Sequence, residues 1–158
     1  IDVKAAQRVM AACEAEADAA AVSTATAAVA DWRPPCASDQ KIKKDGSGQP
    51  PALSFVENPD ILATLAQGER ARSGSLYCVG FAAESHDLQA HAQAKRARKG
   101  VPLLVGNIGP ATFGQDDNEL LLVDAQGTQA LPRAPKLELA RQLVTEIARR
   151  LRAATAST

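Results

Sequence analysis

Apolar and polar positions recur with two different periods along this chain, and the switches between them mark out its elements. From Val3 to Ala17, the residues Val3, Ala6, Val9, Met10 and Cys13 fall at helical spacing, with Lys4, Arg8, Glu14 and Glu16 left for the wet side. Ala19 to Thr24 is short, apolar and flanked by polar residues, which predicts a buried parallel strand. Trp32 to Pro51 holds two proline pairs and two glycines and reads as mostly irregular. Leu53-Ser-Phe-Val-Glu57 alternates as a strand does. Asn58-Pro59-Asp60-Ile61 predicts a helix start, with Asn58 as cap, Pro59 in the first helical position and Gly68 as the stop. Leu76 to Phe81 is an apolar strand, halted by Ala82-Ala83-Glu84-Ser85. A polar, alanine-rich helix follows from Asp87 to Lys99 and is closed by Gly100. Val101 to Val105 and Asn118 to Asp124 are further strands, the second followed by a turn at Gln126-Gly127. That second strand comes after a loop rather than a helix, so an antiparallel setting is open to it. The last helix spans Pro135 to Leu151, with Leu137, Ala140, Leu143, Val144, Ile147 and Leu151 as its apolar stripe. Arg141, Glu146, Arg149, Arg150 and Arg152 are then left to face water.

Strands alternating with helices of this length predict an α/β domain with a largely parallel sheet. The 158 residues make one domain. Aromatics are only 3%, so the core must be close aliphatic contact. Basic and acidic residues balance at 18 each, which argues against a nucleic-acid groove and its need for excess cations. Cys13, Cys36 and Cys78 are odd in number and form no CxxC pair, which points away from a disulfide scaffold or structural zinc and towards a reducing cytoplasm. No segment has the apolar length to cross a bilayer, and the N-terminus lacks the build of a signal peptide. The start at Ile1-Asp2-Val3, without Met, suggests a processed chain or a piece of something longer.

The chemistry concentrates around Ala27-Ala-Val-Ala-Asp31-Trp32-Arg33-Pro34, followed by Lys41-Ile42-Lys43-Lys44. An apolar strand end, one carboxylate and a cluster of ammonium groups suit a polyanion and its metal, with Asp31 positioned to hold Mg²⁺ bridging phosphates. Taken alone, the same residues also describe a strand, a turn and a solvated basic loop. Lys95 and Lys99 are four apart, share one helix face and are flanked by Arg96 and Arg98. They suit a phosphate or ribose clamp as well as a plain basic helix end. The helix start at Asn58-Pro59-Asp60 offers backbone N–H groups to an anion, as every helix start does. His86 and His91 are five apart with no matching carboxylate pattern, and are expected to be exposed helix residues rather than metal ligands. There is no GxGxxG, no GxxxxGK[ST] and no GxSxG.

In order, AAVADWRP, KIKK, NPDILA, VGFAAES, KRARKG, FGQDDNELLLVD and LPRAPKLELARQLVTEI resemble the phosphopantothenate–cysteine ligase half of the bifunctional bacterial coenzyme A flavoprotein. The resemblance runs from Ala27 to the last helix. It implies a Rossmann-like three-layer α/β fold with a mixed, largely parallel sheet, and a homodimer. It also implies activation of 4′-phosphopantothenate by CTP with Mg²⁺ to an acyl-cytidylate, from which the amine of L-cysteine displaces CMP. Carried over by position, Lys41 matches the lysine that clamps the reacting phosphate, and Asp31 the aspartate at the nucleotide and its cation. Ala25, Thr26 and Ala27 match the strand-end backbone at the nucleotide, and Asn58, Pro59, Asp60 and Ile61 the helix start lining the same pocket. Phe81, Lys95 and Lys99 match further CTP contacts. The family's preceding glycine-rich turn and its asparagine segment would lie before Ile1, so the resemblance implies a sheet lacking its first strands. The flavin-dependent decarboxylase half is expected as a joined or associated domain, and no FMN is expected in this portion. Asn107-Ile108-Gly109 stands where the family usually has Asn-Asp-Val. Two other readings are a non-catalytic Rossmann-like module that binds a nucleotide or partner, and a dinucleotide enzyme, the latter opposed by the missing glycine fingerprint.

Overall fold

The computed structural model describes residues 5–36, 43, 46, 48–49, 52–112 and 114–156. The elements in chain order are α1 (Ala6–Ala17), β1 (Val22–Ala25), β2 (Trp32–Arg33), β3 (Val56–Glu57), α2 (Ile61–Ala66), α3 (Glu69–Arg72), β4 (Tyr77–Glu84), α4 (Leu88–Lys99), β5 (Leu103–Ile108), α5 (Gly109–Thr112), β6 (Asp117–Val123), β7 (Thr128–Pro135) and α6 (Lys136–Ala156). Five strands form one sheet in the order β1-β4-β5-β6-β7, and β2 pairs with β3 apart from it. The β1–β4 and β4–β5 pairings are parallel, while β5–β6 and β6–β7 are antiparallel. The sheet is therefore mixed, with its parallel half where strands alternate with helices.

The pleat sorts the core into two layers, because successive strand residues point to opposite faces. Cys78 and Ala82 of β4 and Leu104 of β5 pack with Leu65, Ala66 and Ala92 from α2 and α4. Val79 of β4 and Leu103 and Val105 of β5 pack with Leu139, Leu143 and Ile147 of α6. Helices on both faces give a three-layer α/β domain. Each fully buried leucine or valine contributes roughly 1.5–3 kcal/mol, which is how so few aromatics suffice. Gly80 sits where α2 presses on the sheet: a β-carbon there would lie 2.6 Å from Leu62 Cδ2 and 2.8 Å from Leu104 Cδ1. Gly100 ends α4 in the left-handed region at φ 71°, as the sequence predicts.

Several boundaries differ from the sequence reading, each for a local reason. The strand expected from Ala19 to Thr24 is Val22–Ala25, and it is half-buried rather than buried because it is an edge strand among the described residues. Of Leu53–Glu57 only Val56 and Glu57 pair, leaving Leu53 and Phe55 exposed. Alanines 82 and 83 do not halt β4, which runs to Glu84, and β5 likewise runs on to Ile108. Strand β7 lacks an apolar alternation because only Leu131 is buried, and its Pro132 and Pro135 are tolerated in an edge position. On α6 the buried positions are Leu139, Leu143 and Ile147, whereas Leu137 and Val144 are exposed and Pro135 belongs to β7. Glu146 and Arg150, expected in water, are largely covered, with side chains 12% and 13% exposed.

Candidate functional site

The parallel strands end together on one side of the sheet. Ala25, last residue of β1, pairs with Gly80, and β4 continues past that point to Glu84. Beyond Ala25 the chain leaves the sheet through Thr26 and Ala27, which are exposed. It is caught again by Asn58, whose backbone N–H donates to the Asp31 carbonyl at 2.7 Å and whose Nδ2 donates to the Ala30 carbonyl at 2.8 Å. Two sequence blocks far apart in the chain are thereby clamped side by side. The remaining acceptor of that side chain, Asn58 Oδ1, is buried and has no hydrogen-bond donor among the described residues. A buried acceptor left so costs roughly 1–3 kcal/mol, and a ligand N–H would recover it.

Helix α2 begins two residues later than the sequence suggests. Asp60, not Asn58, is the cap: its Oδ1 accepts from the Ala63 N–H at 3.1 Å, and its carbonyl accepts from Thr64 Oγ1 at 2.9 Å. Pro59 therefore precedes the cap instead of opening the helix. Asp60 thus answers the helix start with its own charge. The other carboxylate oxygen of Asp60 accepts from Lys99 Nζ on α4. Burial pushes the Asp60 carboxyl up, but the Lys99 hydrogen bond, the Ala63 N–H and the charges of Lys99 and Arg98 outweigh it and hold it below its ordinary value.

Lys95, one turn before Lys99, reaches the end of β4, with its Nζ 3.4 Å from Glu84 Oε1. The two lysines share a helix face yet go to different carboxylates, and each is partly covered at 32% and 18% exposure. Ile61 is partly buried and packs against the core layer under α2. Phe81 packs in the layer under α6, on the opposite face from α2 and α4, and shares with them only its height at the strand ends. Asp31 is exposed, a single carboxylate held in place through its own backbone. Lys41, Ile42 and Lys44 lie outside the described residues, and Lys43 is exposed. The Asn107-Ile108-Gly109 segment ends β5 and enters α5, where Asn107 Nδ2 donates to the buried Thr112 Oγ1 at 2.8 Å.

The sequence reading missed Glu84 as the partner of Lys95; the pairing depends on β4 running four residues beyond Gly80, which the alanines there conceal. It also missed a gathering beside Glu84. His86 and Asp87 lie ahead of α4 and His91 on its first turns, with a ring nitrogen of each histidine and a carboxylate oxygen of Asp87 all within 4.8 Å of one another. His86 is thus not a helix residue, and a carboxylate does accompany the two histidines. A cavity of about 740 Å³ lies at the other end of the sheet, between Tyr77, the Asp124–Gln129 turn and the end of α6. None of the candidate residues lines it.

The profile of the family described as the DNA/pantothenate metabolism flavoprotein C-terminal domain matches residues 1–151. This chain belongs to that family. Among curated relatives, the coenzyme A biosynthesis bifunctional protein CoaBC of Vibrio cholerae is 36% identical over 143 residues, covering 89% of this chain and 35% of the relative. CoaBC of Escherichia coli is 35% identical over 154 residues, covering 95% and 37%. CoaBC of Mycolicibacterium smegmatis is 40% identical over 131 residues, covering 77% and 31%. The chain spans about a third of the length of these relatives. Among solved structures, the C-terminal domain of a CoaBC superposes with TM-score 0.75 and 25% identity, covering 97% of this chain and 66% of that one. A Cab2 mutant in complex with phosphopantothenate-cysteine, at 15% identity and TM-score 0.51 over 68% of this chain, shares the fold. No helix among the described residues is long and apolar enough to cross a membrane.

Proposed function

We propose that this chain carries the ligase chemistry of coenzyme A biosynthesis, joining 4′-phosphopantothenate to L-cysteine through an acyl-cytidylate made from CTP. The observation that carries this reading is convergence. Asn58 clamps the Ala30–Asp31 segment, and Asp60 takes Lys99, so three sequence blocks meet at the strand ends of one sheet. The relatives named for coenzyme A biosynthesis span nearly all of this chain, and a protein of the same fold binds phosphopantothenate-cysteine.

In this reaction the pantothenate carboxylate attacks the α-phosphorus of CTP and pyrophosphate leaves; the cysteine amine then attacks the acyl carbon, CMP leaves and the amine gives up a proton. Negative charge grows on the phosphate oxygens in the first step, and Lys41 is the movable cation assigned to it. The backbone of Ala25, Thr26 and Ala27 borders the nucleotide, and the vacant Asn58 acceptor suits an N–H of its base. Lys95 and Lys99 are held in reserve by Glu84 and Asp60, and exchange those carboxylates for phosphate when CTP binds. A lone exposed carboxylate at Asp31 fits Mg²⁺, which takes one or two carboxylates and fills its remaining positions with phosphate oxygens and water. Held there, such an ion would supply neutralisation of the phosphate charge. The working assembly in this reading is a homodimer with a flavin-dependent decarboxylase domain joined or associated.

The pairing of both lysines also favours a second reading, a module that binds a nucleotide or a partner without turnover. The test supplies CTP, Mg²⁺, 4′-phosphopantothenate and cysteine, with and without the remaining portion of the Escherichia coli relative, and follows pyrophosphate and amide together. Coupled release of both, lost by about 10²–10³ in a folded Lys41→Ala variant, is expected. Wild-type rates in that variant would remove Lys41 from the chemistry, and CTP binding with no pyrophosphate in either arm would favour the module.

A further inference from the structure

We propose that His86, Asp87 and His91 form a binding site for one divalent transition-metal ion of the zinc class, separate from any Mg²⁺ that accompanies CTP. Three ligand atoms of the right kind already lie within 4.8 Å of one another. Around a tetrahedral ion with bonds of about 2.1 Å, ligand atoms sit roughly 3.4 Å apart, so small side-chain rotations close the set. Two imidazoles and a carboxylate select against Mg²⁺, which prefers oxygen, and favour zinc, nickel or cobalt.

The surroundings are arranged as ligands are. Ser85 Oγ lies 2.8 Å from His86 Nδ1, and Glu84 Oε2 lies 3.8 Å from His91 Nδ1. Ser85 is thus within hydrogen-bond distance of the His86 ring, and a carboxylate stands beside the His91 ring, the kind of polar neighbours that accompany ligating imidazoles. The rings stand edge to face, with centroids 5.0 Å apart and planes at 78°. Asp87 occupies the position before α4 but its side chain makes no cap hydrogen bond, unlike Asp60 on α2. It is also the one non-glycine residue at positive φ among those described, at 45°. Its carboxylate is turned to the histidines in place of the helix N–H groups. All three residues are exposed, so an ion enters without unfolding anything and retains positions for water or an incoming donor. Glu84 links this site to the strand ends, because its other oxygen holds Lys95.

This inference stands apart from the ligase reading, and its test reads metal rather than turnover. The chelator-stripped chain, with its cysteines alkylated, is titrated with Co²⁺ by visible absorption and with Zn²⁺ by calorimetry in excess Mg²⁺. One equivalent of each is expected, with Zn²⁺ displacing Co²⁺ and Mg²⁺ displacing neither. His86→Ala and His91→Ala each weaken binding by at least about 10-fold, while Glu84→Gln weakens it less and leaves the stoichiometry at one. Absence of binding, or binding that survives both histidine substitutions, overturns the proposal.

Discussion

Replacing Asp60 separates two jobs that one side chain performs. One carboxylate oxygen caps α2 through the Ala63 N–H, and the other takes Lys99 from α4. Asp60→Asn keeps a cap of equal quality and loses only the charge; Asp60→Ala loses both. Removing a cap costs about 0.5–2 kcal/mol. The ion pair is worth less than its contact suggests, because Asp60 is 45% exposed and water screens it, so about 0.5 kcal/mol is a fair allowance. Asp60→Asn should then lower the melting temperature by about 1–2 °C and Asp60→Ala by about 2–10 °C, at about 2–4 °C per kcal/mol for this chain length. The pH dependence has a fixed sign. The folded carboxyl is held below its ordinary value of 3.8, so its stabilisation is full above that value and is lost as pH falls through the lowered one. The gap between wild type and Asp60→Asn should therefore be constant near neutrality and close on acidification. Thermal melts across that range, with a Lys99→Met double-mutant cycle, measure each part. Equal losses in Asn and Ala variants, or a gap that widens in acid, would refute the division of labour.

Two further outcomes follow from the packing. Arg150 lies between Asp124, Glu146 and Gln129 at the far end of the sheet, with the three charged side chains only 12–15% exposed. Arg150→Met deprives the covered Asp124 carboxylate of its cation, while Glu146 keeps Arg149, and should cost about 2–4 kcal/mol, read by urea denaturation at neutral pH. For Asp124, burial raises the carboxyl but Arg150 and the N–H groups of Gln126 and Gly127 lower it further; for Glu146, Arg149 leads the lowering. Both shifts are downward, so the Met variant should approach wild type as pH falls through the carboxylate range. Gly80→Val forces a side chain into Leu62 and Leu104 and should cost about 1–3 kcal/mol while displacing α2; on the ligase proposal, CTP affinity falls along with the melting temperature.

Periodicity alone was enough for most of the frame. It located α1, α4 and α6, the cores of β4 and β5, the antiparallel option for β6 and the Gly100 stop, because each reflects a pattern repeated within ten or twenty neighbouring residues. The ordered blocks from AAVADWRP to the last helix also sufficed to name the family. Tertiary structure decided everything that depends on a partner distant in the chain. Lys99 and Asp60 are 39 residues apart, and Asn58 and Ala30 are 28 apart. No local pattern selects such pairs; strand order and helix placement do. The same holds for β7, whose edge position leaves only Leu131 to bury, and for the face of α6, where two apolar stripes compete and the sheet accepts the one through Leu139, Leu143 and Ile147. It holds most sharply for His86, Asp87 and His91. Their spacing looks unremarkable as a string, and a left-handed turn at Asp87 is what brings the three side chains to one point.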